Sequence, residues 1–343
     1  MTSQLDFTGR VAIVTGSGSG LGRAHALELA KRGAKLIIND LGGSTRGVGS
    51  SSEPVDRVVA QIKAAGGEAV GNHDSVADRA GGKAIVEVAM DHFGRIDIVI
   101  NNAGIIRTDR FEDMSEEDIR SVLDVHVMGG FNVTQPAYRH MRAAGYGRIL
   151  FTGSGSGMFG HAWAANYGAA KGAIFGMTQV IALEGEQYGI NCNLLLPVAS
   201  GRFGDEMGSG FFETPRFAED FHKVDLEWLG KRVDPNFASA LAIWLVSEEC
   251  TTTKGCFTSA GGRYAALHAA LCDGWMSPDG TDAPSAEDIA THWGEINAAV
   301  SGQSPHNVYD EFVGIPQLQG QAMMGTATAT MMPSRFAAGP KQS

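Results

Sequence analysis

The sequence predicts an α/β protein built on a doubly wound parallel sheet, and three observations carry that expectation. Short apolar runs recur along the chain, at Val11 to Val14, Leu36 to Ile38, Ile96 to Ile100, Ile149 to Phe151 and Ile190 to Leu196. Segments of helical periodicity separate most of them, which is the alternation of a parallel sheet with crossover helices. The runs are mostly continuous rather than alternating, as expected of strands covered by helices on both faces.

Taken in order, the first run passes directly into the glycine cluster Thr15 to Gly22 and then into a helical pattern (Leu21, Ala24, Leu27, Leu29, Ala30), with Gly33 placed as a C-terminal cap. The second run ends at Asp40, and Asp74-Ser75-Val76 follows a third expected strand. A helix is predicted to stop at Gly94, and Asn101-Asn102-Ala103-Gly104 closes the fourth run. Ser115 precedes the acidic turn Glu116, Glu117 and Asp118, whose charges suit a helix N-terminus. Ser154 lies just beyond the fifth run, and a helical segment extends from Asn166 to about Tyr188. From Ser200 to Gly230, glycines surround Phe203, Phe211 and Phe212, which reads as an apolar lid. Prolines multiply after about Gly274; Pro284-Ser-Ala-Glu-Asp-Ile begins a capped helix. Beyond Ser301 only four charged side chains occur in 43 residues, so we expect a tail draped on the body or on a partner. The organisation expected is a single domain over 1–270 with a C-terminal extension over 271–343.

Composition narrows the function classes. Of 343 residues, 43% are hydrophobic and 19% charged, enough apolar content for a sizeable core. A net charge of −11 argues against general nucleic-acid or anionic-membrane binding, both of which draw on a basic field. Four cysteines form no CxxC pair and have no histidine at ligand spacing, so neither zinc, nor any other metal, nor a disulfide framework is expected. A strand-like run already at Val11 and the lack of about 18 consecutive apolar residues point to a cytoplasmic protein without a signal peptide or membrane span.

Strand, glycine loop and helix in succession are the setting for a dinucleotide. Gly16, Gly20 and Gly22 permit a tight turn, close approach to a pyrophosphate and close helix packing, while Ser19 and Leu21 stand where the helix begins. Asp40, 20 residues after Gly20, is placed to accept hydrogen bonds from an adenosine ribose. An unpaired carboxylate there repels a 2′-phosphate and so selects NAD over NADP; Arg46 lies six residues on, its reach unreadable from sequence. Asp74 and Ser75 are candidates for the adenine edge, and Asn102, Ala103 and Gly104 lie at another C-terminal strand end, the ligand side of an open sheet.

Tyr167 and Lys171 are spaced i, i+4 and share a helix face. A tyrosine titrates near ~10, so as a base near neutral pH it needs a neighbouring cation, which Lys171 supplies. Ser154 brings a hydroxyl able to polarise a carbonyl or alcohol oxygen.

Thr15-Gly16-x-x-x-Gly20-x-Gly22, Asn101-Asn-Ala-Gly104, Ser154 and Tyr167-x-x-x-Lys171 together resemble the short-chain dehydrogenase/reductases over residues 7 to 265. That resemblance implies a Rossmann-type sheet and oxidation of a secondary alcohol, with Tyr167 as proton acceptor, Ser154 holding the oxygen and Lys171 lowering the tyrosine pKa and binding the nicotinamide ribose. Asn39-Asp-Leu-Gly-Gly43, Val125-His126-Val127 and Glu184 to Asn193 look like the branch containing the (3R)-hydroxyacyl-CoA dehydrogenase units of peroxisomal multifunctional enzymes and their bacterial relatives. His126 stands where many members have Asn, and its role stays open between relay member and space-filling substitute. Val198 stands where Pro-Gly is frequent. The resemblance further implies a homodimer or homotetramer paired through the Tyr167 helix and the helix beginning near Glu116, with Phe175, Ile181 and Leu183 as candidate surface. A bulky acyl-CoA, including a steroid side chain, is the expected substrate, and Arg202, Arg216, Lys223, Lys231 and Arg232 are candidates for the CoA phosphates. The alternatives are a hydroxysteroid dehydrogenase acting on a free sterol and a catalytically silent NAD-binding sensor.

Overall fold

The computed structural model describes residues 4–200, 226–272, 274–277 and 283–298. Its strands are β1 (Val11–Thr15), β2 (Lys35–Asn39), β3 (Ala69–Asn72), β4 (Ile98–Asn101), β5 (Gly147–Thr152), β6 (Ile190–Pro197), β7 (Cys256–Ala260) and β8 (Arg263–Leu267). They form one sheet in the order β3-β2-β1-β4-β5-β6-β7-β8, parallel throughout except for the antiparallel edge pair β7 and β8. The order reverses between β1 and β4, the crevice where open α/β sheets bind ligands.

The described helices in this unit are α1 (Gly20–Lys31), α2 (Glu53–Ala64), α3 (Arg79–Phe93), α4 (Glu116–Leu123), α5 (Gly129–Ala144), α6 (Ser156–Phe159), α7 (Ala165–Gly185), α8 (Leu226–Gly230) and α9 (Pro235–Leu245). Each β1 residue is buried because the pleat sends alternate side chains into two cores. Val11 and Ile13 join Ile37, Val99, Ile149 and Phe151 beneath α3, α5 and α7. Ala12 and Val14 join Leu36, Ile38, Ile100 and Leu150 beneath α1, α2 and α9. Burying one such aliphatic side chain contributes about 1.5–3 kcal/mol, so a continuous apolar run is favoured at every position.

Local signals set several helix ends. Asp78 accepts a hydrogen bond from Gly81 N–H to open α3, and Gly94 closes it with φ of 72°. The Ser115 side chain accepts from Asp118 N–H at the start of α4. Arg32 caps α1, with Gly33 the next residue at φ of 90°. A π turn over Asp124–Met128 joins α4 to α5, and a 3₁₀ turn over Glu186–Tyr188 extends α7.

The backbone divides into two compact units, Met1–Leu267 and His268–Ser343. In the second, α10 (Ala286–Thr291) opens with a reciprocal Ser285/Asp288 capping box and is followed by α11 (Trp293–Ile296). The expected single helix is therefore two short ones, divided at His292, whose ring stacks on Trp275 at 4.1 Å between centroids. The lid residues Phe203, Phe211 and Phe212, the cations Arg202, Arg216 and Lys223, and the tail after Ser301 lie outside the described residues.

Candidate active site

The glycine turn after β1 is closed from below by backbone. A Cβ on Gly22 would stand 2.3 Å from Gly16 O, and one on Gly16 would stand 2.7 Å from Ala103 Cα. Gly20, at φ of 53°, meets nothing within 4 Å on its side-chain side. The turn thus leaves open space beside Gly20 where α1 begins, with Ser19 extended as its N-cap and Leu21 in its first turn. This arrangement fits a pyrophosphate, which needs close approach and exposed N–H groups at a helix N-terminus.

Asp40 leaves the end of β2 with Oδ2 accepting from Gly18 N–H at 2.9 Å and Oδ1 from Gly42 N–H at 2.7 Å. Those bonds fix the carboxylate beside the glycine turn. Arg46 is exposed, and its carbonyl accepts from Arg107 Nε at 2.8 Å. Asp74 is held by Asn72, whose Nδ2 donates to it at 2.6 Å, while Asn39 Nδ2 donates to the Asp74 carbonyl at 2.9 Å. Ser75 Oγ accepts from Ala77 N–H at 3.2 Å.

The β4 end is tied to the glycine turn through Thr15, which the sequence motif includes without a role. Thr15 Oγ1 accepts from Asn102 N–H at 3.0 Å and Ala103 N–H at 3.1 Å, and Asn102 Nδ2 donates to the Thr15 and Gly16 carbonyls, both at 3.1 Å. The Asn102 amide is thereby occupied in holding the turn. Gly104 is required for another reason: a Cβ there would stand 2.4 Å from His126 Cε1.

Ser154, Tyr167 and Lys171 converge at the C-terminal end of β5. Ser154 Oγ accepts from Ser156 N–H at 3.2 Å, and its hydroxyl favours the Tyr167 phenolate. Lys171 is buried, donates from Nζ to Thr152 O at 2.6 Å and lies 5.4 Å from the Tyr167 ring centroid. Burial pushes the Lys171 ammonium down to about 7. Burial also pushes the Tyr167 hydroxyl above its ordinary range, with the Ser154 bond opposing it. The lowered tyrosine pKa expected from its cationic neighbour is therefore not found: desolvation penalises phenolate and ammonium alike.

His126, in the π turn, has its ring edge-on to Tyr167 at 5.3 Å, and its Nε2 lies 2.8 Å from Ile105 O and 3.2 Å from Ile105 N. Burial first, then the Lys171 charge, pushes its pKa well down, so the ring stays neutral. Its Nδ1 and the Thr152 hydroxyl are buried without a partner. Both residues, with Lys171 and Asn101, line a cavity of about 10 Å³, the size that accommodates one water.

Tyr167 owes its backbone setting to Asn166, a second residue the sequence reading quoted without a role. The Asn166 Oδ1 accepts from Tyr167 N–H at 2.7 Å, and its Nδ2 donates to Arg107 O at 2.9 Å and Asp118 O at 3.2 Å. Among the expected surface residues, Phe175 and Ile181 pack against the sheet core and Leu183 is half-buried, whereas Met128, Phe131 and Val180 are exposed. His25 is buried between α1 and α9 with Nδ1 3.0 Å from Ser239 Oγ, and belongs to the core. Among the described residues no cluster of three His, Cys, Asp or Glu side chains forms a metal site, and no helix is long and apolar enough to cross a membrane.

A reversing parallel sheet, a glycine turn at the first helix and a Ser/Tyr/Lys cluster beside it define an oxidoreductase acting on a CH–OH group with a nicotinamide dinucleotide. The chain belongs to the short chain dehydrogenase family, whose family model matches residues 10–201. Curated relatives include peroxisomal multifunctional enzyme type 2 of Mus musculus, 38% identical over 93% of this chain and 40% of that protein. Peroxisomal multifunctional enzyme A of Dictyostelium discoideum is 36% identical over 99% of this chain and 73% of that protein. A short-chain type dehydrogenase/reductase of Mycobacterium tuberculosis is 38% identical over 84% of this chain and 93% of its own length. The chain thus spans about two fifths of the mouse protein. Among solved structures, full-length multifunctional enzyme type 2 from Drosophila melanogaster matches at a TM-score of 0.74 and 28% identity, covering 92% of this chain and 50% of that one. A short chain dehydrogenase from Mycobacterium avium matches at 0.70 and 32%, covering 86% and 98%.

Proposed function

We propose that the protein oxidises a (3R)-hydroxyacyl-CoA to the 3-ketoacyl-CoA with NAD, and tolerates a bulky acyl group such as a steroid side chain. The observation that carries the chemistry is the convergence of Ser154, Tyr167 and buried Lys171 at the end of β5. The substrate class is supported by likeness to multifunctional enzymes over 93% and 99% of the chain, and to a peroxisomal hydratase-dehydrogenase-epimerase of Saccharomyces cerevisiae over 86% of it.

Gly16, Ser19, Gly20, Leu21 and Gly22 would hold the dinucleotide phosphates, Asp40 the adenosine ribose, Asp74 and Ser75 the adenine edge, and the Asn102-Ala103-Gly104 backbone the nicotinamide half. Bound there, the nicotinamide supplies the hydride acceptor. Ser154 orients the alcohol oxygen, Tyr167 takes its proton, and Lys171 receives part of that proton's charge and binds the nicotinamide ribose. His126 acts as a neutral spacer and positioning group, since Ile105 occupies Nε2 and burial disfavours its cation. NAD is favoured over NADP because the Asp40 carboxylate is fixed at the β2 end beside the glycine turn, where a ribose 2′-phosphate would meet it. Replacing Asp40 by Ser is expected to weaken NAD use and improve NADP use.

We further infer a homodimer or homotetramer, and a cytoplasmic, reducing location on the ground that all four cysteines are unpaired. The experiment is NADH formation measured with 3R and 3S hydroxyacyl-CoA epimers, their thioesters trimmed to a short thiol, and free hydroxysteroids. Preference for the 3R epimer with a sharp loss on trimming supports the proposal, because remote binding energy then contributes to the reaction. Equal efficiency on a free hydroxysteroid selects the sterol reading, and absence of turnover throughout selects the sensor.

A further inference from the structure

We propose that Asn166 is a positioning residue that sets Tyr167 against both the active-site loop after β4 and α4, so that proton transfer depends on its amide. The inference rests on the reading of Tyr167 as the proton acceptor.

The first N–H groups of a helix have no partner within it, and a side chain at the N-cap normally supplies one. In α7 the N-cap is Ala164, which has no side-chain acceptor. Asn166 takes over from inside the first turn, its Oδ1 accepting the Tyr167 N–H at 2.7 Å. Both remaining protons of the amide are committed, one to Arg107 O and one to Asp118 O. Asn166 is 3% exposed, so each of these bonds is made where water does not compete.

The bonds lead to separate parts of the molecule. Arg107 belongs to the loop after β4, and that loop is in turn bonded to the segment after Asp40: Ile106 N–H donates to Thr45 O at 2.9 Å and Arg107 Nε to Arg46 O at 2.8 Å. Asp118 lies in α4, where its carboxylate meets Arg107 NH1 at 3.2 Å. One amide thereby joins the backbone of the catalytic tyrosine to the loop after β4 and to the helix packed on α7. Lys171 and Ser154 come from elsewhere, namely the next turn of α7 and the end of β5. Without Asn166 the fold retains those anchors, but the tyrosine N–H, the Arg107 carbonyl and the Asp118 carbonyl lose their shared partner. Displacing a reacting group by about 1 Å costs on the order of 100-fold in rate.

The test uses the full chain carrying Asn166→Ala, Asn166→Ser or Asn166→Asp, beside the unmodified protein and Tyr167→Phe. Three quantities are read: kcat and KM for oxidation of the (3R)-hydroxyacyl-CoA, NADH affinity by fluorescence, and the Tyr167 titration from ultraviolet absorbance after subtracting the Tyr167→Phe curve. Asn166→Ala is expected to lower kcat roughly 10- to 100-fold with NADH affinity within about threefold, and to shift the Tyr167 titration toward the ordinary tyrosine value. Asn166→Asp should be no better, because it turns a carboxylate oxygen toward two carbonyls. Asn166→Ser keeps a short polar group in the first turn and supplies the comparison if Ala does not fold. A kcat that falls only in step with the folded fraction, or a Tyr167 titration that superimposes on the unmodified one in a folded variant, overturns the proposal. Should the unmodified protein oxidise no substrate offered, the substrate reading fails while the titration still decides the role of Asn166.

Discussion

At Tyr167 and Lys171 the same desolvation acts on two groups of opposite charge type, raising the phenol and lowering the ammonium to about 7. With the phenol raised and the ammonium lowered, the first proton lost near pH 7 is that of Lys171. Once it has left, the site carries a neutral amine beside the tyrosine and is able to take up the alcohol proton. Alcohol oxidation should therefore rise about tenfold per pH unit below about pH 7 and level off above it. Lys171→Arg, which stays protonated, should move the rise to higher pH. A pH–rate profile flat from pH 6 to 9 would contradict the role of Lys171 deprotonation. Tyr167→Phe removes the acceptor and little of the pocket, so turnover should fall by roughly 10²- to 10⁴-fold while NADH fluorescence reports nearly unchanged binding. Retention of a tenth of the original turnover would mean that another base operates. These residues were legible because their chemistry needs fixed local spacings, four residues for the pair and a glycine cluster for the turn. Thr15, Asn101 and Asn166 were not, because their roles rest on bonds to residues such as Asn102, Thr134 and Asp118, far away in sequence.

Among the elements, α1 and α9 carry a stability term with a definite sign. His25 on α1 is buried against Ser239 on α9, and burial lowers its pKa to about 4 from an ordinary 6.5. Folding thus favours the neutral ring, and between those values the unfolded chain binds more protons than the folded one. The contribution is complete above about pH 6.5 and is lost as pH falls toward 4, amounting to about 3 kcal/mol at most. Urea unfolding at pH 7.5 and 5 should show this loss, and His25→Leu should flatten it; an equal pH dependence in the variant would place the sensitivity elsewhere. The same scale separates what the sequence disclosed from what it did not. Strands β1, β2, β4, β5 and β6 announce themselves because both faces are covered and each carries a continuous apolar run. β7 (Cys-Phe-Thr-Ser-Ala) and the edge strand β8 carry partly exposed positions, so no apolar run marks them. The π turn at Asp124–Met128 has no sequence period of its own, yet it brings His126 to Tyr167.

For the molecule as a whole, the remaining question is what covers the long helices on one side of the sheet. The π turn, α5 and α7 leave Met128 and Phe131 each 44% exposed and Val180 54% exposed, while their neighbours Phe175 and Ile181 are directed into the core. Large apolar side chains held out on rigid helices gain about 1.5–3 kcal/mol each when fully covered. Single exposed residues need no explanation, but several on packed neighbouring helices suit a self-complementary surface, since a two-fold axis uses every contact twice. A homodimer through these helices would cover them. Light scattering at micromolar concentration is then expected to give at least twice the 36.1 kDa chain mass. Phe131→Asp should shift the protein toward monomer, because it asks an apolar contact to bury a charge, and it should do so twice over under two-fold symmetry. The substituted position is exposed in the single chain, so the variant should fold with an unchanged far-ultraviolet spectrum. An unmodified protein that scatters as a monomer removes the dimer; a tetramer that Phe131→Asp leaves intact moves its interface away from α5.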